Sequence, residues 1–176
     1  MRPSRLALVA ALAAATALAG FRLASAKDEG GAPELQKAIV HPFTDALLGS
    51  WTVETVFDMG DGPIKGKGSA VFAKGVGGTA ILETYESASD GGSFSGHAVY
   101  KLSADRSTIT CWWFDVLSAE PTKFTGPITE KGLDMSADTP QGKLRITIEK
   151  SDATLSFKMY TGAKAMMTGE YKRAAK

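Results

Sequence analysis

His41-Pro42-Phe43-Thr44-Asp45-Ala46-Leu47-Leu48-Gly49-Ser50-Trp51-Thr52-Val53 is a short apolar helical turn that runs through a glycine into a strand, and its reading decides the fold. Phe43, Ala46 and Leu47 fall at i, i+3 and i+4, one face of a single helical turn. Pro42 suits the first helical position, where a missing N–H costs nothing, and Gly49 suits the left-handed position that ends a helix. After Gly49 the period changes to two: Trp51, Val53, Thr55 and Phe57 alternate with Thr52, Glu54, Val56 and Asp58. The tryptophan is therefore expected to enter a core beside a helix that forms the floor of a barrel and closes one end of its sheet.

Outward from this stretch, nearly everything reads as strand. Short alternating runs are separated by turn residues at intervals of about 8 to 14 residues, the spacing of an antiparallel meander. The runs are Ser50 to Asp58, Ile64 to Ala73, Thr79 to Ser87, Ser93 to Leu102, Thr108 to Asp115, a looser region at Leu117 to Thr129, Gly132 to Ala137, Lys143 to Glu149, Thr154 to Tyr160 and Ala165 to Lys172. Leu144, Ile146 and Ile148 alternate with Lys143, Arg145, Thr147 and Glu149, as a wall with one wet face requires. No alternation of strand and helix occurs, which excludes a parallel sheet. About ten antiparallel strands in sequence order leave two exposed edges unless the sheet closes, so the expected fold is all-β, an antiparallel up-and-down barrel. A two-sheet sandwich is the alternative, because periodicity does not say whether the first and last strands meet.

The chain has 176 residues, room for one core and one folded domain. Arg2 and Arg5 precede an apolar run from Leu6 to about Phe21, and Ala24-Ser25-Ala26 follows as a small-x-small site. This is expected to be a signal peptide over residues 1–26, cleaved after Ala26, which makes the protein periplasmic or secreted. As a membrane span the run is short of the roughly 20 apolar residues needed, and Arg22 interrupts it, so stable membrane insertion after cleavage is not expected. Residues 27–40 read as a polar linker with a weakly helical segment from Pro33 to Val40, and 41–176 as the barrel domain. Without the leader, 17 basic residues face 19 acidic ones, a net charge of −2 with no basic stripe, which argues against a nucleic-acid partner. The single cysteine, Cys111, has no intrachain partner and reads as a buried strand residue.

Gly49-Ser50-Trp51 behind an apolar turn, with Tyr171-Lys172-Arg173 on the last strand, resembles a lipocalin-type (calycin) barrel, in which a tryptophan near the start packs under a basic residue from the end. A wider match covers about residues 41 to 173. It comprises His41-Pro42 before Leu48-Gly49-Ser50-Trp51, then Leu82-Glu83-Thr84-Tyr85-Glu86, Phe94-Ser95-Gly96-His97, Trp113-Phe114-Asp115 and Phe157-Lys158-Met159-Tyr160. In these the chain resembles the uncharacterised bacterial family known as domain of unknown function 1579. The resemblance implies a lipocalin-like fold and carries no established activity. The proline-broken stretch Glu120 to Thr129 departs from that pattern, so the sixth strand is the least regular.

Polar side chains that alternation would turn inward are the informative ones, because a buried polar group needs a partner or a ligand. Glu83, Tyr85, His97, Cys111, Trp113 and Asp115 fall on strands three to five. Two phases are open: Ala80, Leu82 and Thr84 also make an inner set for strand three, and Phe94, Gly96, Ala98 and Tyr100 for strand four. With Met159 and Met167 from the last strands, Tyr85 and Trp113 would line an apolar cavity with adaptable sulfur-containing walls. The candidate ligand-binding residues are thus Glu83, Tyr85, His97, Cys111, Trp113, Asp115, Met159 and Met167. His97, Cys111 and Asp115 are acceptable metal-ligand types but lack ligand spacing, and no histidine follows His97 to serve haem, so neither metal nor other cofactor is expected.

The leading functional expectation is a non-catalytic barrel that binds a small hydrophobic ligand in its interior. The alternative is a cell-envelope structural or protein-interaction module with a filled barrel. An enzyme using Glu83, His97 and Asp115 as acid or base groups ranks third. The sequence leaves the ligand and the oligomeric state open.

Overall fold

The computed structural model describes residues 36–58, 60 and 62–175. The expected signal peptide and the linker up to residue 35 lie outside the described residues. A single-turn helix, α1 (Pro42–Leu47), precedes ten strands. These are β1 (Gly49–Phe57), β2 (Ile64–Lys74), β3 (Ile81–Ser89), β4 (Gly92–Leu102), β5 (Thr108–Asp115), β6 (Thr122–Pro127), β7 (Gly132–Thr139), β8 (Gly142–Lys150), β9 (Thr154–Thr161) and β10 (Lys164–Arg173).

Each strand pairs antiparallel with its neighbours in sequence, and β1 also pairs with β10, from Trp51 opposite Arg173 to Phe57 opposite Met167. The sheet is a closed barrel with no free edge, which decides between barrel and sandwich. The weakest seam is where the sequence pattern is loosest. β6 pairs along its length with β5 but meets β7 at Thr125 opposite Ser136, with one isolated bridge beyond it between Ile128 and Leu133.

The helical turn is held at both ends by side chains. His41 caps it, its Nδ1 accepting from the Phe43 N–H at 3.2 Å. A helix end leaves carbonyls without intrahelical partners. Here the Trp51 indole donates to the Leu47 carbonyl at 2.7 Å, while the Arg173 guanidinium donates to the Leu48 carbonyl and, at 2.6 Å, to the Ala46 carbonyl. The same guanidinium lies 3.9 Å from the centre of the Trp51 ring. Gly49 has φ +116°, and a Cβ there would stand 2.6 Å from Arg173 Nη1, so both backbone and space call for glycine. Of the weakly helical segment expected from Pro33 to Val40, the described residues 36–40 form no helix, and Ile39 docks by burying its side chain and donating its N–H to the Gly78 carbonyl at 2.7 Å.

Phe43 and Leu47 of α1 are fully buried, in one cluster with Trp51, Val53, Phe72, Ile81, Tyr100, Ile109, Phe124, Leu133, Ile148, Leu155 and Tyr171. These strand residues occupy the inward positions of the half nearest α1, and that half is solid. Inward positions toward the opposite end are different. Phe57, Phe94, Trp113, Leu144, Ile146, Met159 and Met167 are each half-buried. The outer face carries polar side chains and ion pairs such as Arg145 to Asp134 at 2.6 Å and Lys67 to Glu54 at 3.9 Å.

Candidate ligand-binding site

Register settles the phases that periodicity left open. Glu83 stands opposite Ala98, Tyr85 opposite Gly96, and Gly96 in turn opposite Asp115. Residues directly opposite in an antiparallel pair share a face. Strand β3 therefore turns Ile81, Glu83 and Tyr85 inward, and β4 turns Phe94, Gly96, Ala98 and Tyr100 inward. Of the eight candidate residues, Glu83, Tyr85, Cys111, Trp113, Asp115, Met159 and Met167 share the interior face. His97 does not join them. It is exposed, pairs across to Thr84 and Phe114, and stacks on the Phe114 ring with centroids 4.9 Å apart and planes 11° apart. The acid and base groups Glu83 and His97 thus lie on opposite faces of the wall.

Glu83 is the buried charged residue among those described, at 5% exposure. The Tyr100 hydroxyl donates to its Oε2 at 2.5 Å. Burial pushes the Glu83 carboxyl up to about 7, and the Tyr100 hydrogen bond opposes that rise without cancelling it. The neighbouring polar groups respond to the same dry surroundings. The Cys111 thiol is pushed up to about 12 by burial and then by the Glu83 charge, and the Tyr100 and Tyr171 phenols are raised well above their usual range for the same two reasons. Tyr85 is 3% exposed, and its buried hydroxyl has no hydrogen-bond partner, although the Ser87 and Thr55 hydroxyls lie near enough to favour its anion. Such an orphan costs about 1–3 kcal/mol unless something meets it.

Between this polar group and the half-buried end stand three rings. Tyr85 meets Phe94 and Trp113 edge-on at 6.1 and 6.3 Å, and Phe94 stacks on Trp113 at 6.2 Å. Gly96 makes room for this: a Cβ there would come within 2.5 Å of the Trp113 ring. The Trp113 indole N–H donates to Asp115 Oδ2 at 2.9 Å, and the Leu117 N–H donates to Oδ1 at 2.8 Å, which fixes the rim carboxylate. Trp112 points the other way, with Lys123 Nζ 5.8 Å from its ring centre. Met159 and Met167 stand opposite each other on β9 and β10. Two hollows open to solvent lie along the β2–β5 wall, one of about 390 Å³ touching Tyr85, Gly96, His97 and Asp115, the other of about 660 Å³ touching Gly68, Ser87 and Phe94.

The sequence reading missed Tyr100, Phe94 and Tyr171 as members of this group. A signal for two of them was present in β4, where Ser95, His97 and Lys101 share one phase and Phe94, Gly96, Ala98 and Tyr100 the other. The polar set belongs outside.

Fold and site together define an all-β protein, a closed ten-stranded antiparallel barrel that is solid at the α1 end and reached by solvent at the other. No family model matches the sequence, and no curated protein does. Among solved structures fourteen chains match. One is a de novo designed fluorescence-activating β-barrel, 12% identical, aligned over 77% of this chain and 100% of that one with a TM-score of 0.43.

Proposed function

We propose that this chain is an exported, lipocalin-like barrel of the kind grouped as domain of unknown function 1579, and that it binds a small hydrophobic ligand in the half of its interior remote from α1, without catalysis. One observation carries the reading. Seven apolar inward side chains, Phe57, Phe94, Trp113, Leu144, Ile146, Met159 and Met167, are left half-buried at one end, while the inward residues of the other half are packed solid. Apolar area left short of full burial is what a hydrophobic ligand would cover, at about 25 cal/mol per Å². Arg173 over Trp51 supports the lipocalin-like kinship, and the leader sequence supports export.

The test is titration of the full chain with 1-anilinonaphthalene-8-sulfonate and with dodecan-1-ol, followed by tryptophan emission. Saturable binding that Trp113→Ala weakens at least tenfold and Trp112→Ala leaves alone is the expected result. Equal effects of the two substitutions, or no saturation, would overturn it. In that case the docking module comes forward, favoured by the two hollows along the β2–β5 wall and by the exposed Val71, Leu82 and Val116. N-terminal sequencing of protein from an exporting cell should begin at Lys27.

A further inference from the structure

We infer that the ligand is an amphiphilic amine, whose protonated nitrogen is received by Glu83 and the hydroxyl of Tyr85 at the bottom of the open half. This rests on the proposed apolar chamber and adds the chemistry of its floor.

Three observations converge on it. First, the floor holds an acid and no counter-charge. Glu83 enters no ion pair among the described residues, whose pairs all lie on the surface. Arg173, which lies over the Trp51 ring, is committed to the Leu48 and Ala46 carbonyls and to that ring. Second, Tyr85 supplies a buried hydroxyl with no partner, coupled to the Glu83 charge. Tyr100 donates to Glu83 Oε2, which leaves Oε1 and the Tyr85 oxygen as acceptors, and an ammonium group is a donor with no acceptor of its own. Third, the packed rings of Tyr85, Phe94 and Trp113 stand on the half-buried side of Glu83, with the Asp115 carboxylate beyond them. Aromatic faces and carboxylates attract cations and repel a fatty-acid head.

The charge balance also favours this class. An arriving positive charge favours the ionised form of the Glu83 carboxyl, which burial disfavours. The groups that face Glu83 from the surrounding strands are Tyr85 on β3, Tyr100 on β4, Cys111 on β5 and Tyr171 on β10, all raised above their usual ranges and therefore neutral through pH 5 to 9. Glu83 alone in this group changes charge in that interval.

The experiment is isothermal titration of the full chain with dodecylamine, dodecan-1-ol and dodecanoate, each below its micelle concentration, at pH 8.0 and 5.5, repeated with Glu83→Gln. At pH 8.0 dodecylamine should bind at least tenfold more tightly than dodecan-1-ol, and dodecanoate more weakly than either. Amine affinity should fall about tenfold per pH unit below about 7, as Glu83 takes up a proton, while alcohol affinity holds. Glu83→Gln should remove the amine's advantage and leave the alcohol unchanged. An amine no tighter than the alcohol, or an advantage that survives either low pH or Glu83→Gln, overturns the head-group assignment and leaves the apolar chamber standing. No saturable binding of any of the three overturns the chamber as well. Should Glu83→Gln fail to fold, the pH series on the unaltered chain still decides.

Discussion

Glu83 sets a pH dependence of stability whose sign follows from its burial. Its carboxyl titrates near 4.5 when unfolded and is raised to about 7 in the barrel. Below the lower value both states are protonated and nothing is lost. Between the two the folded protein keeps a proton that the unfolded chain has released, so stability falls as pH rises, by about 1.4 kcal/mol per pH unit and about 3 kcal/mol in all, and is level above. Urea denaturation at pH 4.5, 6 and 8 should show that decline, and Glu83→Gln should remove most of it. A flat profile in the parent would mean that water or another group solvates the carboxylate. Trp51 is the other decisive residue. It is 3% exposed, donates to Leu47 and carries Arg173 on its ring, so Trp51→Ala should cost about 3–5 kcal/mol in the same assay. Unchanged melting would sink this account of the first strand.

At the scale of elements, α1 is too short to persist by its own propensity, since isolated helices under about 12 residues are marginal in water. It is held by the burial of Phe43 and Leu47 and by donors that come from β1 and from the far end of the chain. Arg173→Lys keeps the charge but loses the planar fork that reaches two carbonyls, and should destabilise the fold by about 1–3 kcal/mol in a thermal melt, with Arg173→Ala at least as severe. β6 is the element expected to open most readily. It is six residues long, ends at Pro127 and has a single paired position with β7. Native-state hydrogen exchange should find Thr122–Pro127 exchanging ahead of β8 and β9, whose ladder runs unbroken from Leu144 opposite Thr161 to Lys150 opposite Leu155. Equal protection of β6 and β8 would show that side-chain packing alone secures the seam.

The molecule as a whole divides its interior between two tasks. The half beside α1 supplies the fully buried cluster that holds the barrel closed, which frees the other half to leave apolar side chains short of full burial. Filling that half should be costly to binding. Gly96 is the place to test it. A Cβ there would stand 2.5 Å from the Trp113 ring and 2.7 Å from the Phe114 carbonyl oxygen, so Gly96→Ala should displace the indole and strain the β4–β5 ladder, altering tryptophan emission and ligand affinity and costing about 1–3 kcal/mol of stability in a urea melt. His97→Gln, on the outer face, should leave ligand affinity as it was. An effect of His97→Gln as large as that of Trp113→Ala would place the site outside the barrel.

The helical turn, nine regular strands and the faces of the strongly alternating ones were legible in the sequence, whereas the bounds of β6 and the non-helical residues 36–40 were not. The single helical turn, the ten-strand meander, and the split of β1 into Trp51, Val53 and Thr55 against Thr52 and Glu54 all follow from a period that changes at Gly49 and from turn residues that recur between apolar runs. The opposed directions of Trp112 and Trp113 follow from the same two-residue period. Closure did not follow, because the pairing of Trp51 with Arg173 joins the two ends of the domain and leaves no local mark. Nor did the composition of the site. β3 and β4 each present mixed polar and apolar residues on both faces, so alternation defines two faces without saying which is wet. Register alone puts Glu83 beside Tyr100 and sends His97 outside. Which end of the barrel is solid was likewise decided in three dimensions, where side chains from α1, Trp51 and Arg173 meet at one end and have no counterpart among the described residues at the other.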